Sequence, residues 1–157
     1  ETSSPSMDIQ LASNFERLIY YVNDSNSEIT SDIMKKIKNN SYQIEKNNLK
    51  KIQKDFLSQS CNEQETLEII KKNYTDNNII LDPHTAVGVG VAQKLSFKDC
   101  VVLSTAHPCK FPQAIEDAIS RTEDLPDSLN YVYDRKEKFE IISNDINKVK
   151  DYVINSI

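Results

Sequence analysis

Glycine is the residue that most restricts what this chain can be. There are two glycines in 157 residues, Gly88 and Gly90, where average usage would give about eleven. Two glycines spaced as Gly88-Val89-Gly90 cannot supply the G-x-x-x-x-G-K-[ST] of a Walker loop, a complete G-x-G-x-x-G fingerprint or a glycine-rich phosphate cradle. Their placement restricts further. Both fall in a stretch from Asp82 to about Leu95 that otherwise reads as helix, where each costs about 1 kcal/mol relative to alanine. A chain that uses glycine only there needs close backbone approach along that helix.

The remaining composition narrows the class. The 19 basic and 24 acidic side chains leave a net charge of −5, which argues against a nucleic-acid-coating role. Two histidines without H-E-x-x-H cannot build a three-histidine zinc site. Cys61, Cys100 and Cys109 are odd in number and lack C-x-x-C spacing. That is neither a disulfide framework nor a zinc ribbon, and it points to a reducing, cytoplasmic setting. Glu1 to Ser6 has no basic or apolar region of a signal peptide. No apolar run approaches the ~20 residues needed to span a bilayer, so no membrane is expected. The chain lacks an initiator methionine and reads as if cut from something longer.

Periodicity divides the chain near residues 75–78, into a helix-rich segment 1–76 and an α/β segment 77–157. In the first, Ser13-Asn14-Phe15-Glu16 has the form of a capping box, followed by Phe15, Leu18, Ile19 and Val22 on one helical stripe. Ile29, Ile33, Met34 and Ile37 make a second stripe. Leu49, Ile52, Phe56 and Leu57 make a third. Asn62 to Glu65 opens a fourth helix containing Leu67, Ile70 and Tyr74. The lysine runs at 35–38 and 50–54 are solvated helix faces.

In the second segment, Ile79-Ile80-Leu81 reads as a short strand stopped by Asp82-Pro83, an N-cap followed by proline at the first helical position. Cys100 to Leu103 is a second buried-strand candidate. It runs into the polar turn Ser104-Thr105-Ala106-His107-Pro108. Pro112 opens a helix with Ala114, Ile115, Ala118 and Ile119 on one side. Glu123 to Asn130 is loop, and Phe139 to Ile142 is a possible short strand. Ser143 or Asn144 caps a last helix with Ile146, Val149 and Val153. Alternating strands and helices predict an α/β fold of three layers, with short parallel strands joined by right-handed crossovers.

In such a sheet, ligands sit beyond the carboxyl ends of the strands. Two polar clusters occupy those ends, Asp82-Pro83-His84-Thr85 and Ser104-Thr105-Ala106-His107-Pro108, and both histidines lie in them. The first is also a helix start, where free N–H groups favour an anion. The plainer alternative is that Asp82 only caps, His84 bonds locally, and the second cluster is a loop tied down by its hydroxyls. A nucleophilic triad is poorly supported, because there is no G-x-S-x-G elbow. Ser104 or Cys109 with His107 lacks the spacing for a working dyad. Cys109 reads as a small packing residue. Phe97-Lys98-Asp99 matches the tripeptide that carries the Schiff-base lysine in some pyridoxal-phosphate enzymes. Here it lies in a polar link with nothing to enclose the amine, so Lys98 reads as a surface residue.

These motifs carry a resemblance. Ser4 to Ile9 with Ser13 to Leu18, Leu81 to Gly88, Ser104 to Pro112, and Asn144-Asp145 before a helix resemble four ordered signatures of threonine synthases, over essentially the whole chain. The resemblance implies the C-terminal part of a pyridoxal-phosphate-dependent enzyme of tryptophan-synthase-like fold, in the pathway of threonine biosynthesis. Such enzymes convert O-phosphohomoserine and water to threonine and phosphate. It also implies that the Schiff-base lysine and the phosphate-binding glycine loop lie upstream of Glu1. This chain alone is then expected to be inactive and to associate with that missing N-terminal part.

By the same resemblance, Thr105 and Ser104 would be cofactor-binding, with the Thr105 hydroxyl meeting the pyridine nitrogen. His107 and Lys110 would face the substrate, Lys110 as a point charge toward its phosphate. Asp82, His84 and Thr85 would shape the neighbouring helix start. Where the family has alanine before the lysine of the third signature, this chain has Cys109. An alternative of another class is a non-catalytic binding or interaction module that keeps the fold elements and has lost the chemistry.

Overall fold

The computed structural model describes residues 1–9, 11–39, 42–132 and 134–156. They form seven α-helices: α1 Ser13–Val22, α2 Ser27–Asn39, α3 Lys46–Asp55, α4 Glu63–Asn77, α5 Pro83–Lys94, α6 Pro112–Ile119 and α7 Ile146–Asn155. Short 3₁₀ turns occupy Pro108–Lys110 and Asp127–Val132. The chain divides into two compact units, Glu1–Asp124 and Leu125–Ile157.

The first unit is built on two helix groups. In one, α1 packs on α2 and α3. The stripes read from the sequence bury Ile19 and Val22 of α1 and Ile33 and Met34 of α2. The α3 helix is tied to the end of α1 by polar bonds, because it buries no residue fully. Lys51 Nζ donates to the Val22 carbonyl at 2.9 Å, and Asn48 Nδ2 donates to Asn23 Oδ1 at 3.0 Å. The third stripe overreaches: α3 stops at Asp55, and Phe56 and Leu57 are exposed.

In the other group, α4 packs against both α5 and α6. Ile70, Ala86, Ile115 and Ala118 form its buried centre, with Leu67, Ile69, Ile80, Leu81 and Ile119 around it. The expected reason for Gly88 and Gly90 is visible here. A Cβ on Gly90 would overlap Ile69 Cδ1 of α4 and lie 3.1 Å from Cys61 Sγ. A Cβ on Gly88 would lie 3.0 Å from Val102 Cγ1. The helix thus passes close to α4 on one side and to the segment around Val102 on another.

Helix starts separate sound local readings from unsound ones. Asn62 and Glu65 complete a reciprocal capping box at α4. Asp82 caps α5, and Pro83 and Pro112 occupy the first turns of α5 and α6. The box expected at Ser13–Glu16 does not form. Ala12 holds the cap position, Ser13 is already helical, and no side chain caps α1. In the second unit, Asp145 rather than Ser143 or Asn144 caps α7, accepting from the N–H groups of Asn147 and Lys148. The stretch expected as loop up to Asn130 tightens into a 3₁₀ turn from Asp127.

The largest correction concerns the sheet. Among the described residues there is no strand, so the α/β, three-layer reading with short parallel strands gives way to helices. Cys100 to Leu103 and Phe139 to Ile142 lie in non-helical chain with no ladder partner. A strand is defined by bonds to a neighbour, and an apolar run without one stays coil. The side chains show the consequence: Val101 is 91% exposed, Leu103 76% and Ile141 91%. Only Val102 of that first run turns toward α5. Ile80 and Leu81 serve the helical core instead of a sheet.

Candidate functional site

The start of α5 is the most polar buried place in the chain. Asp82 is 1% exposed, His84 7% and Thr85 5%. Asp82 reaches this depth because the helix start supplies donors to a carboxylate that would otherwise lose its hydration. Its Oδ1 accepts from the His84 N–H at 3.0 Å and the Thr85 N–H at 3.4 Å. Its Oδ2 accepts from the Thr85 hydroxyl.

His84 lies between two segments. Its Nε2 accepts from the Ser6 N–H at 3.4 Å, and its Nδ1 lies 3.3 Å from Asp82 Oδ1. A neutral ring that accepts at Nε2 carries its proton at Nδ1, and that buried nitrogen has no hydrogen-bond partner despite its nearness to the carboxylate. The ring also stacks obliquely on Phe111, 4.9 Å between centroids. These contacts bring the N-terminal segment to the α5 start. Ser3 reinforces it, donating from its N–H to Glu63 Oε2 at 2.8 Å.

The turn after residue 103 is joined to this cluster. The Thr105 N–H donates to Thr85 Oγ1 at 3.1 Å. Next to it opens a cavity of about 460 Å³, walled by Asp82 and Thr85 from α5, Ser104, Ala106 and His107 from the turn, and Tyr74 from α4. Arg121 and Glu123 close another side. The Arg121 guanidinium donates to the Tyr74 hydroxyl at 3.1 Å, lies over its ring at 5.6 Å, and sits 3.8 Å from Glu123. The Tyr74 bond, with Glu123 and Asp124 nearby, holds its proton more firmly than usual.

Of the residues singled out from sequence, Ser104 and His107 line this cavity. Thr105 sits between them, exposed, with its N–H committed to Thr85. His107 is exposed, and its Nδ1 accepts from the Cys109 N–H at 3.3 Å, which leaves Nε2 to carry the proton of a neutral ring. Lys110 ends the 3₁₀ turn, exposed and outside the lining. Lys98 is exposed on the link before the turn. Arg121, Tyr74 and Glu123 escape a sequence reading, because they meet only through the packing of α4 on α6.

Among the described residues no cluster of three or more histidine, cysteine or acidic side chains is placed to hold a metal, and no helix is long and apolar enough to cross a membrane. A larger groove, about 590 Å³, runs between α1 and α2 past Arg17, Tyr20, Met34 and Lys35. Of the buried polar residues, Asp82 and Thr85 line the smaller cavity and Thr30 lines the groove.

Residues 85–153 match the family model described as threonine synthase, C-terminal. The chain is 34% identical over 155 residues to a threonine synthase of Pseudomonas aeruginosa, covering 96% of this chain and 33% of that protein. It is 36% identical over 180 residues to a threonine synthase of Saccharomyces cerevisiae, covering 97% of this chain and 35% of that one. Among solved structures it resembles a PLP-bound threonine synthase from Brucella melitensis, with a TM-score of 0.78 at 34% identity, over 99% of this chain and 34% of the other. The chain therefore spans about a third of the length of each of these relatives. With the likeness running through both polar clusters and nearly every residue, this chain is similar to about a third of a threonine synthase, and its residues 85–153 match that family's C-terminal model.

Proposed function

We propose that this chain forms one wall of a pyridoxal-phosphate site in an enzyme that converts O-phosphohomoserine and water to threonine and phosphate. The observation that carries the reading is the hydroxyl turn held by Thr85 beside a polar cavity, in a chain with this likeness.

The donor set fits one face of that cofactor. Ser104 offers a neutral hydroxyl on the cavity and Arg121 and His107 add donors there, while Thr105 lies beside the lining, between Ser104 and Ala106. When bound, pyridoxal phosphate supplies the electron sink for loss of phosphate and addition of water. The Thr105 hydroxyl is assigned to the pyridine nitrogen. A neutral group there does not force the ring to be protonated, as a carboxylate would, and so keeps the sink weak. Ser104 is assigned to the same side. His107 and Lys110 are assigned to the substrate, Lys110 reaching in from the rim on its long stem. Arg121, a fixed cation already oriented by Tyr74, adds charge for a phosphate group.

The wall is incomplete as a catalyst. Lys98 is solvated and no glycine cradle exists, so the covalent anchor and the phosphate loop are assigned to polypeptide outside these residues. That polypeptide is the expected partner, and the exposed Val101 and Leu103 offer it apolar surface. Three unpaired thiols fit a reducing, cytoplasmic setting.

The test is phosphate release from O-phosphohomoserine. The intact gene product with pyridoxal phosphate should release phosphate and form threonine, and residues 1–157 alone should do neither. Borohydride reduction of that isolated chain with the cofactor should leave every lysine unmodified. Stable labelling of Lys98 would overturn the assignment of the anchor elsewhere. An intact gene product that binds the cofactor but never turns over would favour a non-catalytic binding module.

A further inference from the structure

Thr85 joins two elements that the fold otherwise leaves loosely connected. Among the described residues, its bond to Thr105 is the one hydrogen bond from residues 100–107 to another element. The other bonds around the turn are local: the Cys109 N–H to His107 Nδ1 and the Lys110 N–H to the His107 carbonyl. A hydroxyl has a single proton to give. That of Thr85 goes to Asp82 Oδ2, because a carboxylate only accepts, and the Thr85 lone pairs are left toward the Thr105 N–H. Asp82 is itself fixed by two backbone N–H groups and faced by His84 Nδ1. Burial of both Asp82 and Thr85 shields the bond between them from water, while the Thr105 bond is part-buried, with its donor on an exposed residue.

We propose that Thr85 is a positioning residue: backed by Asp82, it sets the backbone of the 104–106 turn and thereby where the Ser104 hydroxyl stands at the cavity and where the Thr105 hydroxyl stands beside it. This rests on the cofactor reading above for its consequence, though the hold itself does not depend on it. The helix does not need the Thr85 side chain for its cap, since Asp82 Oδ1 meets the backbone N–H groups directly. The two roles of position 85 can therefore be separated.

The experiment compares Thr85→Val, which keeps the volume and removes both hydrogen-bonding functions, with Thr85→Ser, which keeps them. Amide hydrogen exchange is followed at Thr105 and along residues 86–91, without cofactor. The affinity of the intact gene product for pyridoxal phosphate is titrated in parallel. Thr85→Val should speed exchange at Thr105 about fivefold or more, leave residues 86–91 unchanged, and weaken pyridoxal phosphate by a similar factor. Thr85→Ser should restore both. Unchanged exchange at Thr105 would overturn the proposal, as would acceleration spread equally along the helix, which marks a merely structural role. Faster exchange at Thr105 with unaltered cofactor affinity would overturn the positioning role while leaving the bond. If the wild-type protein takes up no pyridoxal phosphate, the cofactor reading fails, and the exchange result alone decides whether Thr85 holds the turn.

Discussion

Replacing Gly90 with alanine tests why this chain keeps its glycines inside a helix. In an open helix the substitution would stabilise by about 1 kcal/mol, the propensity difference between the two residues. Here the new methyl meets Ile69 Cδ1 and comes within 3.1 Å of Cys61 Sγ. Overfilling a packed contact costs about 1–3 kcal/mol. Ile69 Cδ1 is the far end of a side chain that can rotate, which holds the cost to about the middle of that range. The sum is a net loss of about 1 kcal/mol for Gly90→Ala, read as a lower midpoint in urea unfolding at unchanged slope. The cause is isolated by a cycle with Ile69→Ala. Once Cδ1 is gone, Gly90→Ala should be neutral or stabilising, giving a coupling of about 1–2 kcal/mol between the positions. If Gly90→Ala stabilises the otherwise unaltered chain by the full propensity difference, the close approach of α5 to α4 is not what keeps glycine there.

Two further outcomes follow from the helix starts. Glu65 is held below the usual carboxyl range chiefly by its bond to Lys94, 2.7 Å away, and then by the Asn62 N–H. Its stabilisation is therefore complete above its ordinary value of 4.5 and is lost as pH falls through the depressed one. Thermal midpoints of the wild type and Glu65→Gln should thus differ at pH 7 and converge in acid, and a gap that is the same at pH 3 and pH 7 would refute the assignment. Asp82→Ala should cost about 2–3 kcal/mol in urea unfolding, because it strips the α5 cap and strands the buried Thr85 hydroxyl; a loss below about 0.5 kcal/mol would show that the cap contributes little.

What the sequence disclosed and what it withheld divide along a physical line. Features decided within a few residues were legible: Asp82 followed by Pro83, Pro112 opening α6, and the buried stripes of α1, α2 and α6. Gly88 and Gly90 were legible for a different reason, since a local cost left in place implies a benefit from elsewhere. Ser13 shows the limit of local patterns. Its spacing to Glu16 suits a box, but the helix begins one residue too early for Ser13 to stand outside it. The runs at 100–103 and 139–142 show a deeper limit. Alternating or apolar side chains describe what a strand would look like, whereas a strand also requires a second segment at hydrogen-bonding distance, and that condition is not written in the run itself. The site divides in the same way. Ser104 and His107 reach the cavity because one turn carries both, while Arg121 reaches it only because α6 ends against Tyr74 of α4, 47 residues away. The polar cluster at Asp82 belongs to both kinds: its cap is local, but its link through Thr85 to Thr105 spans 20 residues and exists only once the turn is folded back. A reading of short-range chemistry thus finds the parts of this wall, and the long-range bonds decide which parts face the same space.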